Sequence, residues 1–337
     1  MTAQPSSRTA HRLAIATAVA AVFLLLFGGT VTGIGAGMAV DGWWIVDRGK
    51  GDHFLLFYPV GDWLHSTGKF YEHVHRLIGA LVGLLAIATL FFAWKRDGRR
   101  AATVAGTIVL AAIIVQGALG GFRVLENSPQ LAFLHGAFGQ LTFALIVAGA
   151  VVLSPRWVAA DRRPCKLART VQRRSTVAVV AVYAAIAMGA MLRHGLRHGG
   201  TYQPPLDSIE ALIVHVTLVV FATIAVVSLI LGLRATAQQG AEGGHDRSIL
   251  SSLATRLGWL LGVQVALGLA SFVVVWGFSG PQAAHVHDSL IPTLHVLCGA
   301  LLLSQVLSAA LWSRRIVSSG SGAAARGATS APIGGTL

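Results

Sequence analysis

VQGALG at 115–120 and VQVALG at 263–268 are one six-residue element written twice, identical at five of six positions. Each copy lies between two histidines that sit just inside long apolar runs. His75 in EHVHR (72–76) and His135 in LHGAF (134–138) flank the first; His215 in IVHVT (213–217) and His295 in TLHVL (293–297) flank the second. His75 to Gln116 is 41 residues and Gln116 to His135 is 19, against 49 and 31 for the second set. The differences fall where loops are expected, so the order His, Val-Gln-x-Ala-Leu-Gly, His predicts a chain of two equivalent halves.

The surrounding composition is that of a membrane protein. Of 337 residues 54% are hydrophobic and only 12% charged, where a soluble domain carries about 25% charged residues. About 20 apolar residues span the hydrocarbon core as helix. Eight runs of that kind occur: 12–32, 72–94, 102–121, 133–153, 176–193, 211–233, 257–277 and 290–312. They do not alternate with period two, so helices are expected rather than a barrel, with backbone polar groups satisfied inside each segment. Four spans hold each copy of the repeat. An even number of spans separates the copies, so both halves point the same way and form a parallel repeat about an axis along the membrane normal.

The expected fold class is therefore all-α integral membrane: eight transmembrane helices as two parallel-repeat four-helix bundles. The boundaries that follow are an N-terminal segment 1–11, a bundle 12–153, a basic linker 154–175 with Pro155 and Pro164, a second bundle 176–315, and a tail 316–337. The tail is rich in Gly, Ser and Ala and is expected to be disordered.

A net charge of +13 could suggest a nucleic-acid partner, but its placement argues for topology instead. Nineteen of the 26 Lys and Arg fall at the N-terminus, in alternate loops and at the C-terminus: Arg8/Arg12, Lys95–Arg100, Arg156–Arg174, Arg234–Arg256 and Arg314 to Arg326. The other 7 are Arg48, Lys50, Lys69, Arg76, Arg123, Arg193 and Arg197. The positive-inside rule then puts both termini in the cytoplasm of a multi-pass protein of the cell inner membrane, surrounded by lipid, with no nucleic acid bound. The apolar run to Val31 is long for a signal peptide and its small residues continue without a stop, so it reads as a retained first span. The 2 cysteines, Cys165 in a loop on the cytoplasmic side and Cys298 in the last span, lie at different depths and cannot bridge.

On this topology all four repeat histidines lie a few residues into even-numbered spans, in the outer-leaflet half of the bundle. Ionisable residues at such depth usually face a bundle interior or cavity. One of them alone would read as a hydrogen-bonded packing residue; four at equivalent positions read as ligands. Zinc would call for three or four convergent ligands, whereas pairs split between helices suit axial ligation of two haem irons, one per half. Gly29, Gly33 and Gly37, and Gly79 and Gly83, recur every four residues, which suits close approach of a flat cofactor or of another helix. Glu72 precedes His75 by three residues on the same face; its counterpart in the second half is Leu212. That asymmetry marks Glu72 as a candidate proton acceptor or cation stabiliser in one half only. Arg76, Arg123 and Arg193 are candidate propionate partners or ordinary interfacial arginines. His53, His65, His73, His194, His198, His285 and His287 lack repeat partners and read as loop or interface residues, His194 being closest to the haem side. The aromatic first outer loop (33–70: Trp43, Trp44, Phe54, Phe57, Tyr58, Trp63) reads as an interfacial anchor, with a lid over a lipid-side substrate as the alternative.

EHVHR at 72–76, GGTVTGIGAGM at 28–38 with a Trp shortly after, VQGALG, MGAMLRHG at 188–195 and the other three histidines together resemble the haem A synthases, membrane enzymes of cytochrome oxidase assembly. The resemblance runs over about residues 12–312. It implies oxidation of a haem O methyl group to a formyl group by successive hydroxylations, giving haem A. It implies substrate haem O between His75 and His135, Glu72 as the catalytic carboxylate, and haem b held by His215 and His295 to relay electrons. Haem O synthase and an unidentified electron donor become candidate partners. Two departures stand out. Many bacterial members carry a cysteine pair in the first outer loop, absent here, and Ile34 and Ala36 stand where the family often has hydroxylated residues. Two other readings remain: a bis-haem membrane cytochrome that only carries electrons, which leaves Glu72 unexplained, and a transporter, for which the spans lack paired midplane interruptions.

Overall fold

Serines set where several helices begin. Ser7, Ser128 and Ser154 each accept a hydrogen bond through Oγ from the backbone N–H three residues on, at 3.2 Å in each case, satisfying a donor that the first helical turn leaves open. The computed structural model describes residues 7–195, 208–239, 244–279 and 285–319. Its long helices are α1 (Arg8–Gly33), α2 (Thr67–Phe92), α3 (Arg100–Leu125), α4 (Pro129–Leu153), α5 (Ala168–Gly195), α6 (Ser208–Gln239), α7 (Gly244–Phe272) and α8 (Leu290–Ile316). Among the described residues eight helices are long and apolar enough to cross a membrane. The chain's strands, among the described residues, are two-residue pairs and close no sheet.

Contacts between the helices reproduce the repeat. α1, α2, α3 and α4 pack in a ring, each on the next and α4 back on α1; α5 to α8 form the same ring. The rings meet through α4 on α8, α4 on α5 and α8 on α1. Exchanging the halves maps this set of contacts onto itself. α4 and α8 meet their own repeat counterparts and are accordingly the most buried of the eight. Small residues allow the close approach: a Cβ at Gly29 or Gly33 of α1 would strike Thr293 or Ser289, on and just before α8. The larger apolar core lies in the second ring around Leu229, Leu233, Leu253, Leu257 and Leu303.

The two ends of the bundle differ. At the basic end Asp97, only 1% exposed, accepts from Ser7 N (3.0 Å) and from Arg99 Nε (2.6 Å) and Nη2 (2.9 Å). It thereby ties the starts of α1 and α3 to the turn after α2. Within the stretch read as a basic linker, Pro155–Ala159 is helical, Arg163–Pro164 pairs with Val317–Ser318, and α5 begins at Ala168. The apolar run undercounts this helix because its first turns carry Arg169, Arg173 and Arg174. Residues 320–337 of the tail lie outside the described residues.

At the opposite end the segment between α1 and α2 folds into a cap. Ile45–Val46 pairs antiparallel with His53–Phe54, and Val40, Val46, Leu55 and Tyr58 form a small core under Trp63. Burial and the neighbouring Asp47 carboxylate, which accepts from Tyr58 Oη at 2.7 Å, push the Tyr58 phenol above its ordinary range. His73 is not a loop residue: it is 2% exposed, against Trp63 (centroids 4.8 Å) and Tyr58 (5.3 Å).

Candidate haem-binding site

The four repeat histidines occupy one local structure repeated four times. Each imidazole lies on a glycine of the preceding helix: His75 on Gly28, His135 on Gly120, His215 on Gly189 and His295 on Gly268. A Cβ at those glycines would come within 2.7, 2.8, 2.9 and 3.0 Å of the ring Cε1. The missing side chain also bares the carbonyl one turn earlier. His75 Nδ1 is 3.1 Å from Leu24 O, His135 Nδ1 3.2 Å from Gln116 O, and His215 Nδ1 3.1 Å from Ala185 O. A carbonyl can only accept, so in His75 and His215 Nδ1 carries the proton and Nε2 keeps a lone pair for a metal. This is the orientation that backbone carbonyls impose on metal-binding histidines. His135 Nδ1 also lies 3.0 Å from Gln116 Nε2, a donor. His295 keeps the glycine contact without an Nδ1 hydrogen bond.

All four rings line one cavity of about 1370 Å³ that runs through both rings of helices. Its volume exceeds the roughly 300–1,000 Å³ of a site for one small molecule. His75 and His135 stand on α2 and α4 of the first ring of helices, His215 and His295 on α6 and α8 of the second. Each pair offers two nitrogens across a mostly apolar space, a donor set that fits a planar macrocycle carrying its iron. Among the described residues no group of three or more His, Cys, Asp or Glu comes together as a metal-ion site.

Charged groups gather at the cavity's capped end. Glu72, 3% exposed, accepts through Oε1 from Arg76 Nη2 (2.7 Å) and through Oε2 from Val40 N (2.7 Å). Arg76 also donates to Gly42 O and Val40 O, both at 2.8 Å. Arg123 donates to Gly37 O (3.0 Å) and Arg193 to Gly29 O (2.7 Å). A guanidinium carries five N–H donors, so these bonds orient each arginine, and those of Arg76 and Arg123 leave further donors for an anionic group. The cap itself reaches the cavity through Trp43, Trp44, Leu55 and Leu56, and Trp43 lies where a side chain at Gly121 would be.

Residues 65–210 match the profile of the cytochrome oxidase assembly protein family. The chain is 33% identical over 193 residues to a haem A synthase of Symbiobacterium thermophilum, covering 54% of this chain and 58% of that one. It is 29% identical over 190 residues to a haem A synthase of Shouchella clausii, with the same coverage. A haem A synthase of Beijerinckia indica subsp. indica is 27% identical over 242 residues, 61% of this chain and 63% of that one. Over these stretches the chain is similar to haem A synthases. Its match spans 58% of the length of the first two relatives.

The expected site residues Glu72, His75, His135, His215, His295, Arg76, Arg123 and Arg193 all line the one cavity. His194 joins them: it is 5% exposed, with Nε2 within 2.7 Å of a Cβ at Gly136, next to His135. His65, His285 and His287 are exposed and His53 sits in the cap hairpin, while His198 lies outside the described residues. Gly29 and Gly33 serve helix packing, as already described, and Gly37 lies beside Arg123. The glycines under the rings are Gly28 and Gly189, which sequence reading did not single out. The signal was available: Gly28 and Gly189 occupy matching places in GGTVTG and MGAMLRHG, as Gly120 and Gly268 do in the two VQxALG elements.

Proposed function

We propose that this protein is a haem A synthase, oxidising a methyl group of haem O to a formyl group by successive hydroxylations in the biogenesis of cytochrome c oxidase. The observation that carries the reading is the fourfold His-on-Gly arrangement around one cavity, with Glu72 beside only one of the two histidine pairs. The N-terminal bundle takes substrate haem O between His75 and His135. The C-terminal bundle holds haem b between His215 and His295. When bound there, haem b supplies one-electron redox chemistry.

The side chains divide the remaining work. Leu24 O and Ala185 O hold the His75 and His215 imidazoles in the tautomer that presents Nε2, and Gln116 contacts His135 through both its carbonyl and its side-chain amide. Arg76 and Arg123 position the propionates of the N-terminal haem and Arg193 those of the other. Glu72 stands next to the substrate, where a carboxylate can take a proton or stabilise developing positive charge. Trp43 and Trp44 help exclude water. Both termini face the cytoplasm and the haem sites lie toward the outer leaflet of the inner membrane, in keeping with the basic end at Arg99, Arg163 and Arg315. Haem O synthase and an electron donor are the expected partners.

The test is chromatography of haems extracted from cells co-expressing this chain with a haem O synthase, compared with the synthase alone. A new haem A peak, or its hydroxylated intermediate, is expected. Only haem B and haem O from folded, haem-loaded protein would refute the enzyme and leave a bis-haem electron carrier.

A further inference from the structure

The two halves are alike at the histidines and unlike one to two turns deeper. Superposing His75 on His215 pairs Gly79 with Val219 and Gly83 with Thr223; the VQxALG elements pair Gly117 with Val265. A Cβ at Gly83 or Gly117 would meet nothing within 4 Å, and one at Gly79 only Leu24 Cδ1 at 3.8 Å. All three line the cavity. Leu84 (64% exposed) and Ile114 (62% exposed) flank the same gap between α2 and α3 and also line it. The gap therefore opens where lipid would lie. Superposing His135 on His295 pairs Gln140 with Ala300 and Thr142 with Leu302. Gln140 (6% exposed) and Thr142 (4%) line the cavity, and Gln140 Oε1 and Thr142 Oγ1 have no hydrogen-bond partner. A buried polar atom left this way carries a cost unless a ligand or water meets it.

These positions share one depth. α2 and α4 run in the same direction, and the residues lie 4 to 8 positions beyond their histidines, about 6–12 Å at 1.5 Å per residue. The N-terminal half thus has a slot with three side chains removed and the Thr142 hydroxyl unmet, while Gln140 Oε1 lies beside Gly299 of α8. The other half fills the same places with Val219, Thr223, Val265, Ala300 and Leu302.

We propose that this slot between α2, α3 and α4 receives the long isoprenoid side chain of the substrate haem, with Thr142 meeting the hydroxyl at its root, and so selects haem O over haem B for the N-terminal half. The proposal rests on the assignment of that half to haem O. Gly79, Gly83 and Gly117 are specificity-determining here because a side chain at any of them stands in the path of the tail, while the macrocycle at His75 and His135 is untouched.

The test uses the full chain purified with its C-terminal haem in place. Haem O and, separately, haem B are titrated in, and the absorption change of the N-terminal pair is followed. The variants are Gly83→Leu and Gly117→Val, the latter copying the residue that the second half carries at the same repeat position. The proposal expects both variants to weaken haem O at least tenfold while haem B binds as in the unaltered chain. Unchanged haem O affinity in both variants, or equal loss of haem O and haem B, would overturn it. If the unaltered chain binds neither haem at this pair, the ligand assignment of the half falls instead, and the slot with it.

Discussion

Valine at position 189 tests the His-on-Gly arrangement where it is least confounded by substrate. A Cβ there comes within 2.9 Å of His215 Cε1 and 3.3 Å of its Nδ1, so the ring must move. Overpacking of this kind costs about 1–3 kcal/mol. Displacing the ring also breaks the 3.1 Å bond from Nδ1 to Ala185 O, worth about 0.5–1.5 kcal/mol. Without a ligand the imidazole can swing aside and shed most of the strain. With haem bound it cannot, so the cost falls on the bound state. A combined penalty of about 2–4 kcal/mol corresponds to roughly 30- to 700-fold weaker haem binding at the C-terminal pair. The assay is haem content per purified chain, together with an absorption titration of the haem-depleted protein. Gly262→Val on α7 is the matched control, because a Cβ at Gly262 meets nothing within 4 Å; it should retain haem fully. Undiminished haem affinity in Gly189→Val would refute the reasoning, as would equal loss in the control.

Glu72→Gln replaces one acceptor oxygen by a donor, so either the 2.7 Å bond from Val40 N or the one from Arg76 is lost, a cost of about 1.5–3 kcal/mol for a bond to a charged group. Haem at the C-terminal pair should remain while haem A disappears from extracts, and normal haem A output would remove Glu72 from the chemistry. Asp97→Asn should lower thermal stability by about 1.5–3 kcal/mol through its bonds to Arg99 and Ser7 N. The lower end is expected because Arg99 is 20% exposed and partly solvated. Haem loading at the far end should not change in the surviving folded protein, and an unaltered melting temperature would show that the clamp does no work.

The helices and their number were legible because apolar runs of membrane-spanning length have few other readings. The histidines were legible because a repeat makes a buried polar residue recur at fixed places. What the sequence hid is what depends on facing. Nothing in GGTVTG says that Gly28 lies under His75 while Gly29 lies under Thr293; adjacent residues on a helix point 100° apart, and only the packing of α1 between α2 and α8 assigns them. The cap was hidden for another reason. Its order comes from Arg76 and Glu72 reaching back to Val40 and Gly42 across more than 30 positions, with |i−j| of 34, 36 and 32, and no local pattern records such contacts. His73 was misread on the same account, since its burial depends on Tyr58 and Trp63 folding over it.

The repeat also separates what binds from what differs. Imidazole, glycine and the preceding VQxALG element recur in both halves, so they belong to whatever both halves do. Glu72, Arg76 and Arg123 face Leu212, Val216 and Ser271 at the matching positions, so the carboxylate is confined to one pair of histidines. A Glu–Arg pair with side chains only 4% and 11% exposed is costly to bury unless its remaining donors and acceptors are met. Here Val40 N, Val40 O and Gly42 O meet them, and all three belong to the cap. The cap is thus the condition on which the N-terminal half can keep a carboxylate beside its ligands. Its hydrogen bonds and its small Val40–Val46–Leu55–Tyr58 core hold it in place with no cysteine in the segment.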